Sequence, residues 1–228
     1  AVEGALAMSK KDAAPKAYHT IKYELADGVA TITFDRQDVY NAFNDTMSGE
    51  VLDALKRCAK DPEVRCVVIT GAGRAFCAGQ DLGSRNVAGF DTTLHLGESV
   101  RDRYNPIIRA IRLMDKPVIA ALNGVAAGAG CSIALACDLR LASTKASMVQ
   151  AFVRIGAAPD TGASFFLPRL VGLGRATELL FTGDKIDAAD AERWGLVNRV
   201  AEPDAFPALV AEWGQKLAKG PTRAMALA

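Results

Sequence analysis

Histidine is scarce in this chain, which holds only His19 and His95 among its 228 residues. The first lies in a terminal segment and the second in an irregular one, so we do not expect a serine–histidine–aspartate triad. The five cysteines are odd in number and form no CxxC pair, which argues against a structural zinc site and against a disulfide framework. Free thiols are typical of a reducing compartment, and we expect a cytoplasmic protein.

Long apolar runs and an excess of one charge are also lacking. No run approaches the roughly 20 apolar residues that cross a bilayer, so no membrane partner is expected. The 27 basic and 26 acidic residues leave a net charge of +1, which provides no general attraction for nucleic acid. Half of the residues are hydrophobic, which is enough for one medium-sized domain with a substantial core.

Apolar runs that are typical of buried strands alternate with helical patterns along the chain. Strands are predicted at residues 28–34, 64–70, 117–122 and 139–142. Helices are predicted from residue 44 or 45 to residue 60, and at residues 101–114, 128–136, 176–181 and 188–194. This alternation predicts an α/β architecture with much parallel strand pairing.

Small residues dominate two loops, each of which directly follows a predicted strand. The first, residues 71–82, reads GAGRAFCAGQDL, and the second, residues 123–130, reads NGVAAGAG. Small side chains let a ligand approach the main chain closely, so that backbone N–H groups can donate to it. Two such loops aimed at one point would form an oxyanion hole. Asp81, inside the first turn, is expected to accept backbone N–H groups rather than to act in catalysis.

In combination, these loops resemble those of the crotonase superfamily, the enoyl-CoA hydratases and isomerases, over residues 18–228. The resemblance implies an α/β spiral of repeated ββα units, with the core at residues 18–200. Residues 1–17 are expected to be a tag remnant and a flexible N-terminus, and residues 201–228 the start of a C-terminal helical region that is otherwise truncated. An acyl-CoA substrate, no metal or redox cofactor, and a homotrimer or hexamer are also implied.

By position in the family motifs, the resemblance implies that the backbone N–H groups of Ala78 and Ala129 stabilise an enolate oxygen. The second loop opens a predicted helix, whose N-terminal dipole adds positive charge at that point. A set of residues near CoA is implied as well, namely Arg36, Asn41, Arg74, Ala75, Phe76 and Ala78. Within this set, the backbone of residues 74–78 is expected to hold adenine and pantetheine, and Arg36 to face a phosphate.

The acid–base residues depart from the hydratases. By position in the resemblance, Ser132 and Phe152 replace the two glutamates that activate water there, so efficient hydration by that route is not expected. Asp160 matches the position of a catalytic aspartate in several isomerases of the superfamily. Burial beside an apolar acyl chain would raise its pKa toward a useful range. The residues alone leave an alternative, in which Asp160 caps a helix that begins at Thr161.

Four segments resemble the 1,2-epoxyphenylacetyl-CoA type of isomerase within the superfamily, namely residues 79–82, 85–87, 104–106 and 159–162. That resemblance implies rearrangement of a ring epoxide or a shift of a double bond beside a CoA thioester. We therefore predict an acyl-CoA isomerase. A hydratase-type lyase and a thioesterase that uses the same hole remain alternatives. A third alternative is a non-catalytic RNA-binding relative, against which the mixed charges of residues 45–60 argue.

Overall fold

The computed structural model describes residues 17–83 and 96–227. Its strands are β1 (Ile21–Ala26), β2 (Val29–Phe34), β3 (Cys66–Gly71), β4 (Ala75–Cys77), β5 (Val118–Leu122), β6 (Val125–Ala127), β7 (Leu139–Ser143), β8 (Ser147–Val149), β9 (Lys185–Asp187) and β10 (Arg199–Ala201). Its α-helices are α1 (Asp45–Lys60), α2 (Leu96–Ser99), α3 (Asn105–Arg112), α4 (Ala129–Ala136), α5 (Ala163–Val171), α6 (Leu173–Thr182), α7 (Ala188–Arg193), α8 (Phe206–Ala218) and α9 (Thr222–Ala226). A π-helix (Val100–Tyr104) joins α2 to α3, and 3₁₀ helices lie at Gln37–Val39 and Ala151–Ile155.

Some expectations fall on residues outside this description. They concern the tag remnant and N-terminus through residue 16, the segment 85–87 that resembles the isomerases, and His95. Within the described ranges, none of the helices is long and apolar enough to cross a membrane.

Two sheets share the strands. The larger has the order β1-β2-β3-β5-β7-β10 and the smaller the order β4-β6-β8-β9. Pairing is parallel except between β1 and β2 and between β8 and β9. Along the chain, β3, β5 and β7 each enter the large sheet, and β4, β6 and β8 each follow in the small one. The predicted α/β architecture with parallel pairing is therefore confirmed.

The N-terminus of α1 shows why the sequence folds locally as it does. The Asn44 side-chain oxygen accepts the Met47 backbone N–H at 2.9 Å, so Asn44 is the N-cap. Such a cap contributes about 1 kcal/mol. The helix then buries Val51 and Leu55 at positions four residues apart, which is the spacing of one helical face. Of the two predicted starts, the structure selects Asn44 as the cap.

The core that supports the small-residue loops is aromatic. The ring of Phe34, at the end of β2, lies 5.2 Å from the ring of Phe43 and 5.4 Å from that of Phe76, between centroids. All three side chains are fully buried. On the opposite side of the large sheet, α8 packs Phe206 and Trp213 in a second cluster with the strands. The first small-residue loop, which contains Phe76, is thus anchored to this aromatic core.

Candidate active site

The two small-residue loops lie against each other, because β4 and β6 pair in parallel. Glycine is required where they touch. A Cβ on Gly124 would lie 2.1 Å from the Arg74 carbonyl oxygen, and one on Gly79 would lie 2.9 Å from the Ala127 carbonyl oxygen. Both distances are shorter than the contacts that real Cβ atoms make, so a side chain at either position would force the loops to shift. The structure therefore brings together the two loops that the sequence analysis paired.

Two asparagines hold the first loop through hydrogen bonds to its carbonyl groups. The Asn41 side-chain amide donates to the carbonyls of Ala72 at 3.0 Å and Ala75 at 2.8 Å. The Asn123 amide donates to the Gly73 carbonyl at 2.9 Å. Asn41 is fully buried, so its side chain shapes the loop from within. The sequence analysis missed the role of Asn123, for which the signal was an amide residue directly after a buried strand.

Among the described residues, the Arg36 side chain has two partners. One guanidinium nitrogen donates to the Ala42 carbonyl at 2.6 Å, and the other pairs with the Asp81 carboxylate at 2.9 Å. The second carboxylate oxygen of Asp81 accepts the Gly83 backbone N–H at 3.1 Å. The predicted backbone bonding of Asp81 is confirmed, whereas its ion pair was not foreseen. The phosphate contact of Arg36 stays a prediction.

The Ala78 backbone N–H does not fit the role assigned to it. It donates to the Tyr40 carbonyl at 3.0 Å, and a donor that is already bonded is not free for a substrate oxygen. We therefore correct the assignment of Ala78 as an oxyanion donor. The backbone N–H of the next residue, Gly79, lies 3.3 Å from the Cys77 sulfur.

Gln80 presents the next donor along this loop. The Phe43 backbone donates to the Gly79 carbonyl at 2.7 Å and accepts from the Asp81 N–H at 2.9 Å, so Phe43 and Gln80 form a parallel bridge. In a parallel bridge the N–H of the middle residue points away from its partner. The Gln80 N–H finds no acceptor among the described residues. This loop also borders the second one, because a Cβ on Gly79 would lie 3.5 Å from the Ala129 nitrogen.

Ala129 is the first residue of α4, after Gly128 with a φ of 49°. The first N–H groups of a helix have no acceptor within it, and they carry the positive end of the helix dipole. Within the described ranges the Ala129 N–H has no acceptor, and its proposed role as a donor to substrate stays a prediction.

Asp160 is partly buried, and its environment differs from that of a helix cap. Helix α5 begins at Ala163 with Gly162 as its N-cap, so the alternative in which Asp160 caps a helix from Thr161 is wrong. The Thr161 hydroxyl donates to the Asp160 carboxylate at 2.7 Å. Burial raises the pKa of this carboxyl above its ordinary value, and the bond from Thr161 opposes the rise. A carboxyl of this kind can accept and return a proton.

A known family matches nearly all of this chain. The model of the enoyl-CoA hydratase/isomerase family covers residues 24–228. The chain belongs to this family. It is 40% identical over 200 residues to 1,2-epoxyphenylacetyl-CoA isomerase of Escherichia coli (strain K12). The aligned residues make up 88% of this chain and 76% of that relative. It is 38% identical over 209 residues to 4-chlorobenzoyl coenzyme A dehalogenase-1 of Arthrobacter sp, with coverages of 92% and 76%.

Solved structures of enoyl-CoA hydratases have the same fold. The crystal structure of enoyl-CoA hydratase from Bacillus anthracis matches with a TM-score of 0.86 at 33% identity, over 92% of this chain and 80% of that one. The predicted crotonase fold is therefore confirmed. The three relatives carry isomerase, dehalogenase and hydratase names, so membership establishes an acyl-CoA enzyme of the family and leaves the individual reaction open.

In this enoyl-CoA hydratase/isomerase family member, the two positions that the resemblance assigns to hydratase glutamates are buried. Ser132 is fully buried, and its hydroxyl donates to the Gly128 carbonyl at 3.1 Å. Phe152 is 7% exposed in the 3₁₀ helix that follows β8. Neither side chain can ionise near neutral pH. Of the three positions considered for proton transfer, only residue 160 holds a carboxylate.

Thr161 adopts a strained backbone conformation beside this carboxylate. Its φ is 53°, and the next residue, Gly162, has a φ of 82°. The left-handed region costs a residue with a Cβ roughly 1–2 kcal/mol, and a β-branched residue is rarely found there. Thr161 is nevertheless buried with its hydroxyl on Asp160. Strain of this kind is typical of residues that orient a functional group.

Proposed function

We propose that this protein is an acyl-CoA isomerase that moves a proton beside a CoA thioester through a stabilised enolate. One observation carries the proposal. A partly buried carboxyl with a raised pKa, Asp160, is present, while Ser132 and Phe152 occupy the two positions at which a hydratase would need glutamate. A single carboxylate suffices to take a proton from one carbon and return it to another.

The proposed reaction starts with Asp160 ionised. Its carboxylate removes a proton from C2 of a 3-enoyl-CoA, and the C–H electron pair moves into the thioester to form an enolate. The backbone N–H groups of Gln80 and Ala129 donate to the enolate oxygen. Removing one such donor typically costs about 3 kcal/mol of transition-state stabilisation. The protonated Asp160 then returns the proton to C4, which gives the conjugated 2-enoyl-CoA without adding water.

The same proton transfer extends the proposal to a second substrate class, the ring epoxides of aromatic acyl-CoA esters. The support is the name of the Escherichia coli relative, 1,2-epoxyphenylacetyl-CoA isomerase, at 40% identity. Ring opening of an epoxide beside a thioester also leaves negative charge that the two N–H groups could share. On this proposal, the protein acts in the degradation of phenylacetate-type compounds or of unsaturated fatty acids.

The test is mass spectrometry of a 3-enoyl-CoA that is incubated with the protein in D₂O. We expect a 2-enoyl-CoA product that gains no water, that gains deuterium only as far as the proton held by Asp160 exchanges with D₂O before its return to C4, and that is almost completely lost in Asp160→Asn. The matched control is Asp184→Asn, since the Asp184 side chain is 73% exposed in a turn. A hydrated product would favour a lyase, and release of free CoA would favour a thioesterase. Unchanged isomerisation in Asp160→Asn would remove Asp160 from the mechanism.

A further inference from the structure

Tyr104 is a buried tyrosine at an unusual point of a helix. It ends the π-helix between α2 and α3, where the Asn105 backbone N–H donates to the Val100 carbonyl, five residues back. Insertions of this kind shift the register of a helix and frequently occur at functional sites. Here the shift accompanies a phenol that is 3% exposed and that donates to the Gln80 side-chain oxygen at 2.7 Å.

The Gln80 side chain connects Tyr104 to the main chain of Phe43. While its oxygen accepts from Tyr104, its nitrogen donates to the Phe43 carbonyl at 2.9 Å. The rings of Phe43 and Tyr104 also pack, with centroids 6.0 Å apart. Tyr104, Gln80 and Phe43 therefore form a closed set of contacts, which we call the Tyr104 clamp.

Apart from the clamp, the main chain at Gln80 is supported through the ion pair between its neighbour Asp81 and Arg36 and through the bridge to Phe43. Its pairing with Phe43 is an isolated bridge and not part of a longer ladder. On one side the chain enters Gln80 from Gly79, whose φ is 95°, and glycine is the residue with the most backbone freedom. An isolated bridge next to a glycine holds the direction of an N–H group less firmly than a strand does.

We infer that Tyr104 is a positioning residue that fixes the Gln80 backbone N–H toward the substrate oxygen through the Gln80 side chain. This inference rests on the proposed function, in which Gln80 is an oxyanion donor. Tyr104 itself touches no reacting atom in this scheme. Its contribution is to hold a donor in the orientation that the developing negative charge requires.

The protonation state of Tyr104 agrees with this role. Burial raises the pKa of its hydroxyl well above the usual range, and the negative charge of the Asp160 carboxylate raises it further. The phenol therefore stays a hydrogen-bond donor throughout the working pH range. A tyrosine that served as a proton donor in catalysis would instead need a pKa near the operating pH.

The experiment uses 4-(dimethylamino)cinnamoyl-CoA, a chromophoric ester whose red-shift on binding reports polarisation of the thioester carbonyl. Tyr104→Phe and Gln80→Met are compared with the wild type and with the double variant. Each single variant should lose part of the red-shift with KM little changed. Tyr104→Phe should lower kcat roughly 3- to 10-fold, as for one lost hydrogen bond, and Gln80→Met at least as much, because it also removes the bond to the Phe43 carbonyl. The double variant should lose no more than Gln80→Met alone, because that change already removes the bond from Tyr104. Tyr23→Phe is the control, since that hydroxyl faces Cys58, away from the loops.

The outcomes are distinct. A red-shift that is absent already in the wild type overturns the proposed function, and the inference with it. A wild-type red-shift that survives intact in Tyr104→Phe overturns the inference alone, as does a double variant whose losses multiply. If Tyr104→Phe does not fold, Gln80→Met decides, because it removes both side-chain bonds of the clamp and leaves the buried phenol ring in place. A full red-shift in Gln80→Met overturns the inference.

Discussion

Gly130 of the second loop lies directly on Cys77 of the first. A Cβ on Gly130 would be 2.6 Å from both the carbonyl oxygen and the sulfur of Cys77. Both residues are buried, so neither can move toward solvent. This contact sets how closely the two loops approach, and with it the spacing of the proposed donors.

Gly130→Ala should therefore force the loops apart. We expect a loss of about 1–3 kcal/mol in the free energy of unfolding, as for other overpacked sites, together with a marked drop in kcat. Urea unfolding and the isomerase assay measure the two effects. Gly49→Ala is the control, because Gly49 is exposed in α1 with nothing within 4 Å of the added Cβ. That change should stabilise the helix by up to about 1 kcal/mol. Equal behaviour of the two variants would contradict the close approach of the loops.

Asp160 should make both activity and stability depend on pH. The pKa of Asp160 is higher in the folded protein than its ordinary value, so ionising this carboxyl lowers the free energy of unfolding. The stability is therefore fully present below the pKa of the unfolded state and is lost as the pH rises through the pKa of the folded state. Above that pH, the Asp160→Asn variant should therefore melt at a higher temperature than the wild type. Activity needs the carboxylate, so kcat/KM should rise with pH through the same raised value. A stability difference that grows as the pH falls would have the wrong sign.

Thr161→Ala should move the acid limb of the kcat/KM profile to higher pH. The reason is that the hydroxyl of Thr161 opposes the rise in the pKa of Asp160, and the variant lacks it. Thr161→Ser keeps the hydroxyl and should leave the limb in place. The measurement is kcat/KM against pH for the two variants. An identical limb in both would show that the hydrogen bond has no effect on the carboxyl in solution.

Asn41→Ala should weaken the first loop. It removes the bonds that the side-chain amide donates to the carbonyls of Ala72 and Ala75, and the bond that its oxygen accepts from the Arg36 backbone N–H. Each lost hydrogen bond costs about 0.5–1.5 kcal/mol. We expect lower stability in urea and a raised KM for the acyl-CoA. Asn44→Ala, which removes the cap of α1, should cost about 1 kcal/mol without changing KM. A rise in KM in both variants would point to general loosening instead.

Arg36→Met separates a role inside the protein from a contact with CoA. The guanidinium already binds Ala42 and Asp81, so we expect kcat/KM to fall by a similar factor for an acyl-CoA and for the matching acyl-pantetheine, which lacks the nucleotide phosphates. Steady-state kinetics with the two esters measures this. A loss confined to the CoA ester would establish the phosphate contact that the sequence analysis expected.

The buried strands were predictable, whereas the edge strand was not. Strand β5 is buried at every position, and buried parallel strands appear in a sequence as continuous apolar runs. Strand β1 is buried at Ile21 but exposes Lys22, Glu24, Leu25 and Ala26, so it has no strong pattern. Its pairing with β2 depends on the turn at Asp27 and Gly28, which both have positive φ.

The donor assignment shows a different limit. The motif located the loop, but the choice between Ala78 and Gln80 depends on which N–H groups Tyr40 and Phe43 occupy. Those partners lie almost 40 residues earlier in the chain, and hydrogen bonds between such distant segments have no local sequence signal. Asp160, by contrast, was assigned from its position in the family resemblance, and its role in proton transfer stays a prediction.

Different segments of the chain, on successive turns through the two sheets, supply different groups to the proposed site. In the proposed function, the two small-residue loops contribute main-chain atoms to the site, and the segment before α5 contributes a side chain. Every residue except proline has a backbone N–H group, so on the proposed function a substitution that keeps the loop geometry also keeps the group that stabilises charge. The proton-transfer group, however, changes with a single codon at residue 132, 152 or 160. Such a scaffold can acquire a new reaction without rebuilding its anion site.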